Sequence, residues 1–116
     1  MKYNIDILKI DPETETRRVA DFVADQTKNV FRRSGVVVGL SGGIDSAVMA
    51  AIAVRAVGRE NVSGLILPEK ESNPVSSSFA AKHARELGIA YREVDITPTV
   101  DSVGGYDKRD AYITAL

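Results

Sequence analysis

With 116 residues, 44% of them hydrophobic, and a formal net charge of −1, the chain can bury one modest core and reads as a single domain. Fifteen basic against sixteen acidic residues create no global field for a polyanion, so nucleic acid is not an expected partner and any nucleotide must be held by a local set of donors. Cysteine is absent, which removes disulfides and thiolate zinc sites and suits a reducing cytoplasm. No apolar run nears the ~20 residues of a bilayer span, and the start, MKYNIDILKIDPETETRR, lacks the apolar centre of a signal peptide. No membrane partner is expected, and the localisation expected is cytoplasmic.

Asp11-Pro12-Glu13 reads as a helix start: Asp accepts free amides, Pro is tolerated at the first helical position, and Glu suits the positive end of the dipole. Val19, Phe22, Val23, Val30 and Phe31 fall on one helical stripe, broken only by Gln26, which predicts a buried face. After Arg32-Arg33-Ser34-Gly35, the β-branched run Val36-Val37-Val38 predicts a strand buried in a parallel sheet. A nearly all-apolar helix is expected from Ser46 to Val57 with Gly58 as a left-handed cap, then a strand from Val62 to Leu67. Asn73-Pro74 starts a further helix with an inner face of Val75, Phe79, Ala80, Ala84 and Leu87, closed by Gly88, and a third strand spans Ala90 to Val94. Gly104-Gly105 marks a turn before a stretch of moderate helical character, residues 107–116.

Strands alternating with helices predict an α/β fold of three layers, a parallel sheet with helices on both faces. Three strands leave apolar faces and edges uncovered. The sheet is therefore expected to be incomplete at the C-terminus, or covered by another subunit.

The informative stretch is Gly39-Leu40-Ser41-Gly42-Gly43-Ile44-Asp45-Ser46, a turn from the carboxyl end of a strand into a helix, where open parallel sheets bind ligands. Gly42 and Gly43 let an anion approach the backbone, the free helix amides point at that space, and Ser41 and Ser46 can add hydroxyl donors. Asp45 would repel a polyphosphate unless a cation lies between them, and Mg²⁺ is commonly held by one or two carboxylates together with phosphates. The competing reading is that Ser41 and Asp45 simply cap the helix, worth about 0.5–2 kcal/mol. No Lys follows Gly43, so the turn is not a Walker loop, and the glycine spacing is not G-x-G-x-x-G.

A hydrophobic strand followed by Ser-Gly-Gly-Ile-Asp-Ser resembles the pyrophosphate loop of the N-type ATP pyrophosphatases. Within that group, VVVGLSGGIDSAVMAAIAVRAVG, VSGLILP and AAKHARELGIAYREVDITP resemble the synthetase domain of NAD synthetases. The first segment is highly specific; the other two fit several relatives. The resemblance implies an adenine nucleotide alpha hydrolase-like, Rossmann-like fold, of which residues 1–116 are the N-terminal portion. It implies a pyrophosphate site at Gly39, Leu40, Ser41, Gly42, Gly43, Asp45 and Ser46, a metal ligand in Asp45, and an adenine pocket at Leu65, Leu67 and Pro68. Leu65 and Leu67 serve equally well as ordinary strand core.

By the same resemblance, ATP and Mg²⁺ are the cofactors. Nicotinic acid adenine dinucleotide is adenylated with release of pyrophosphate and then amidated by ammonia, and the assembly is a homodimer. The chain ends before the second half of the family's site, so the isolated 116 residues are expected to be inactive. PEKESNPVSSS and GGYDKRDAYITAL depart from the family's pattern. The loop alone leaves open another amidotransferase or sulfur-transfer enzyme of the group, or a non-catalytic ATP-binding module. His83, between Lys82 and Ala84 and near Arg85, reads as solvated. Lys70, Lys108 and Arg109 are kept outside the site, and Tyr106 has no partner visible in the sequence.

Overall fold

The computed structural model describes residues 4–115. Helix α1, Pro12–Asp25, starts as its sequence dictates: Asp11 Oδ1 accepts the Glu13 amide at 3.1 Å and Oδ2 accepts the Thr14 hydroxyl at 2.6 Å. It runs on into a π-helical turn, Gln26–Val30, and strand β1, Val36–Gly39, follows. Helix α2, Ile44–Val57, leads through a short 3₁₀ turn to β2, Val62–Ile66. Helix α3, Pro74–Leu87, has Asn73 as N-cap, its side chain accepting the Val75 amide at 3.0 Å, and precedes β3, Ala90–Glu93. Helices α4, Thr97–Ser102, and α5, Gly105–Thr114, complete the described chain.

The three strands form one parallel sheet in the order β1-β2-β3, with Val36 opposite Val62 and Ser63 opposite Ala90. One core lies between the sheet and α2 with α3: Val62, Ile66 and Ile89 meet Ala50, Ala53, Val57, Ala80 and Ala84, with Val36 and Val38 against them. The alanines allow both helices to approach the sheet closely, and β2, central and buried at alternate positions, anchors it. Val37, on the opposite face, is 70% exposed. The parallel α/β fold is the one expected. Across these residues the helical layer packs on one sheet face and leaves the other open.

That openness accounts for several departures from the sequence reading. Phe22, Val30 and Phe31 are 61%, 56% and 66% exposed instead of buried: α1 packs on α2 with Phe22 left outside that contact, and the π turn Gln26–Val30 shifts the phase of the stripe beyond it. The buried residues of this segment are instead Ala20 and Thr27, whose hydroxyl donates to the Val23 carbonyl at 2.7 Å. Val75 and Phe79 are likewise more than half exposed, so the inner face of α3 narrows to the buried Ala80 and Ala84, with Leu87 partly buried against the same core. Gly58 has φ 85° with an extended ψ of 145°, a glycine conformation different from the left-handed cap expected, whereas Gly88 adopts that cap at φ 67°. The radius of gyration, 18.2 Å, exceeds the roughly 13 Å of a compact domain of this length. Among the described residues, no helix is long and apolar enough to cross a membrane.

Candidate functional site

The turn after β1 is braced from beneath. The Leu40 amide donates to the Leu65 carbonyl at 2.8 Å, and the buried Leu40 side chain lies against Gly64, where a Cβ would stand 2.7 Å from Leu40 Cδ1. Gly42 has φ 84° and packs on the first turn of α3; a Cβ there would come within 2.9 Å of the Ser76 carbonyl carbon and closer still to its oxygen. Gly43 has an ordinary φ of −86° and is the N-cap of α2. The two adjacent glycines therefore do different work: Gly42 permits the backbone turn and the close helix contact, while Gly43 leaves the mouth of the helix open.

The serines hold the turn together. Ser41 Oγ accepts the Gly43 amide at 3.2 Å; Ser46 Oγ accepts the Ser41 amide at 3.1 Å and donates to the Gly43 carbonyl at 3.2 Å. The two hydroxyl oxygens lie 3.1 Å apart. Helix α2 starts without a side-chain cap, so neither Ser41 nor Asp45 fills the capping role that the sequence allowed. The first-turn amides and the positive end of a 14-residue helix remain directed at the space above the turn. Asp45 is exposed in that first turn, and among the described residues its carboxylate has no hydrogen-bond or ion-pair partner.

Ser41, Leu67 and Pro68 line one cavity of about 150 Å³ together with Leu40, Ile66 and three further serines, Ser72, Ser76 and Ser77. Leu65 does not join them. It lies on the open sheet face with Val37 and Arg92, because β2 ends at Ile66 and Leu67 leaves the sheet alternation. Gly39 pairs with Leu65 at the strand end. The three serines and Gly64 were not singled out in the sequence. The close approach of Gly42 to Ser76 joins PEKESNPVSSS to the glycine turn, a long-range contact with no local signal. A larger apolar groove, about 540 Å³, lies between Phe22, Phe31 and Val36, away from the turn and poor in polar groups.

His83 is half-buried instead of solvated. Its Nε2 lies 3.0 Å from the Ala47 carbonyl in the first turn of α2, which requires the proton on Nε2 and ties α3 to α2 behind the glycine turn. Tyr106 is buried, and its hydroxyl donates to Glu69 Oε2 at 2.6 Å. That bond lowers the Glu69 pKa, and burial, then the same bond, raises that of Tyr106.

The NAD synthase family model matches residues 15–113. The chain belongs to the NAD synthase family. Among curated members, the NH(3)-dependent NAD(+) synthetase of Rhizobium meliloti (strain 1021) is 43% identical over 114 residues, 98% of this chain and 34% of that protein. The one from Methanocaldococcus jannaschii is 42% identical over 96 residues, 81% of this chain and 37% of that protein. Among solved structures, the NH3-dependent NAD synthetase of Campylobacter jejuni superposes with a TM-score of 0.74 at 34% identity, covering 84% of this chain and 42% of that one. The NMN synthetase of Francisella tularensis gives 0.76 at 28% identity, covering 87% and 41%. The chain thus spans about a third of the length of the curated NAD synthases it matches.

Proposed function

We propose that this span is the ATP-holding portion of an ammonia-dependent NAD synthetase. The observation that supports it best is the joining of an uncapped helix start, opened by Gly43, to a cavity shared by Ser41, Leu67 and Pro68. A pyrophosphate on the α2 amides would leave the adenine side of ATP directed toward Leu67 and Pro68, with Gly39, Leu40 and Gly42 shaping the turn and Ser46 bracing it. Leu65 supports the strand beneath this site and is not part of our pocket.

The proposed reaction has two steps. A carboxylate oxygen of nicotinic acid adenine dinucleotide bonds to the α-phosphorus as the bond to the bridging oxygen breaks, and pyrophosphate leaves with that electron pair. Ammonia then bonds to the acyl carbon, AMP departs with the electron pair of the broken acyl–oxygen bond, and the nitrogen releases one proton to solvent, leaving the amide. The chain's contribution is orientation, and amide donors aimed at charge that grows on the leaving pyrophosphate.

Asp45 is the proposed Mg²⁺ ligand. No group of three or more His, Cys, Asp or Glu side chains able to hold a metal occurs among the described residues. The lone exposed carboxylate suits an ion shared with substrate phosphates and water, not one caged by protein. Such an ion would offset charge on the pyrophosphate. A homodimer would supply further cover for the open sheet face.

The test is a panel of acid acceptors offered, with ATP, ammonia and Mg²⁺, to the protein at family length while AMP and pyrophosphate are followed. Release should require nicotinic acid adenine dinucleotide. Release with an acid mononucleotide instead would favour the second reading, which the likeness to an NMN synthetase brings with it. The 116-residue chain alone should form no NAD, and steady NAD formation by a monomer of it would overturn the partial-site reading.

A further inference from the structure

Three successive residues of the turn beyond Pro68 are each held by α5. Glu69 accepts the Tyr106 hydroxyl, the Lys70 ammonium lies 3.7 Å over the Tyr106 ring, and Glu71 takes a two-pronged ion pair from Arg109, one prong of 3.0 Å. The second oxygen of Glu69 turns inward along the chain, accepting the Glu71 amide at 3.0 Å and the Ser72 hydroxyl at 3.3 Å. The Ser72 amide donates back to the Glu69 carbonyl at 2.9 Å, and the Pro68 carbonyl is fixed by the Ile96 amide at 2.9 Å. Pro68 and Ser72 both line the cavity that holds Ser41. A continuous path of hydrogen bonds therefore runs from the buried Tyr106 hydroxyl through Glu69 to a wall of that cavity. None of these pairings of Tyr106 is visible in the sequence.

We propose that Tyr106 is a positioning residue for the nucleotide: through Glu69 and Ser72 it fixes the 68–72 turn at the spacing from Ser41 that lets the adenine side of ATP seat against Leu67 and Pro68. The proposal rests on the ATP reading above. It separates two parts of the ligand, because the glycine turn is braced by its own serines and by α3, with no member of the Tyr106 cluster among its partners. Helix α5 is otherwise exposed, with Tyr112 and Ile113 at 77% and 63%, so its docking to the 69–71 turn and ligand seating are coupled.

Tyr106→Phe keeps the ring and the Lys70 contact while removing the one hydroxyl. Calorimetric titration of the chain and the variant with ATP and, separately, with inorganic pyrophosphate, both with Mg²⁺, reads the two parts apart. The variant should bind ATP about tenfold more weakly, as a wall that must be ordered on binding costs affinity, and should bind pyrophosphate as the unmodified chain does. Amide exchange at Glu71 and Ser72 should quicken. Arg109→Gln, at an exposed position, breaks the ion pair to Glu71 and withdraws the guanidinium 5.5 Å over the Tyr106 ring while leaving the hydroxyl bond to Glu69, and should show the same ATP-only loss at about threefold. Parallel weakening of both ligands in the two variants would mean a general structural role and overturn the proposal, as would unchanged ATP affinity. If the unmodified chain binds neither ligand, the ATP reading itself fails. That result is distinct from failure of the Tyr106 assignment, in which the unmodified chain binds ATP and the variants match it.

Discussion

Gly42→Ala and Gly43→Ala should have opposite consequences, although the residues are neighbours in one motif. At Gly42 the added methyl meets two penalties. A φ of 84° costs an L-residue about 1–2 kcal/mol. The Cβ would also lie within 2.9 Å of the Ser76 backbone, an overpacking of roughly 1–3 kcal/mol because a helix, not a flexible side-chain tip, must move. Together they give about 2–5 kcal/mol, against a total stability of roughly 5–15 kcal/mol for a domain. At about 3–5 °C per kcal/mol for this length, the melting temperature should fall by about 6–25 °C. At Gly43, φ is −86° and the nearest atom to a new Cβ is Ser41 Oγ at 3.3 Å, so Gly43→Ala should cost no more than about 1 kcal/mol. Its effect should fall on binding, since the methyl presses on the Ser41 hydroxyl and enters the space left for an anion. Thermal unfolding followed by circular dichroism, with pyrophosphate titration of each folded variant, separates the cases. A Gly42→Ala melting temperature within about 3 °C of the unmodified chain, the least shift a 1 kcal/mol change would give, would refute the assignment of Gly42 to the turn and helix contact.

Asp45→Asn should abolish most of the magnesium dependence of ATP or pyrophosphate affinity while leaving the melting temperature within about 1–2 °C, because Asn is a weak Mg²⁺ ligand at an exposed position; titrations with and without Mg²⁺ check it. His83→Phe removes the link to the Ala47 carbonyl and should lower stability by about 0.5–1.5 kcal/mol in denaturant unfolding, with pyrophosphate binding retained at saturating stability. The Tyr106–Glu69 pair sets a pH window. Glu69 titrates lower when folded, so its contribution is complete above the ordinary glutamate range and lost as pH falls through the folded value; Tyr106 titrates higher, so its contribution is complete below the ordinary tyrosine value and lost as pH rises through the folded one. Unfolding measured across pH should show both flanks, and Tyr106→Phe should remove the alkaline one.

What local chemistry encodes was legible. Asp11 and Asn73 cap the helices that their Asp-Pro and Asn-Pro pairs announce, and the β-branched run at Val36 to Val38 is a strand of a parallel sheet. The glycine turn at a strand's carboxyl end could be read for the same reason, since strand, glycines and helix are contiguous. The burial of α1 could not be read, because a periodic stripe says which side is apolar but not whether anything covers it, and the π turn at Gln26–Val30 changes its phase. The split between Leu65 and Leu67 escaped because alternation ends where the strand ends. Tyr106 with Glu69, and Gly42 with Ser76, are pairings across more than thirty residues; no local pattern carries them, and α4 is too short to show a period.

The central claim is that the turn from Ser41 to Ser46 receives the pyrophosphate of ATP on the first amides of α2. Amide chemical shifts of the ¹⁵N-labelled chain, followed during titration with magnesium pyrophosphate, test this most directly. Saturable shifts greatest at Ile44, Asp45 and Ser46, with smaller ones at Gly42 and Gly43, are the predicted result. Saturation accompanied by shifts centred elsewhere, such as the Phe22 and Phe31 groove, or no saturable change at the turn, would contradict it.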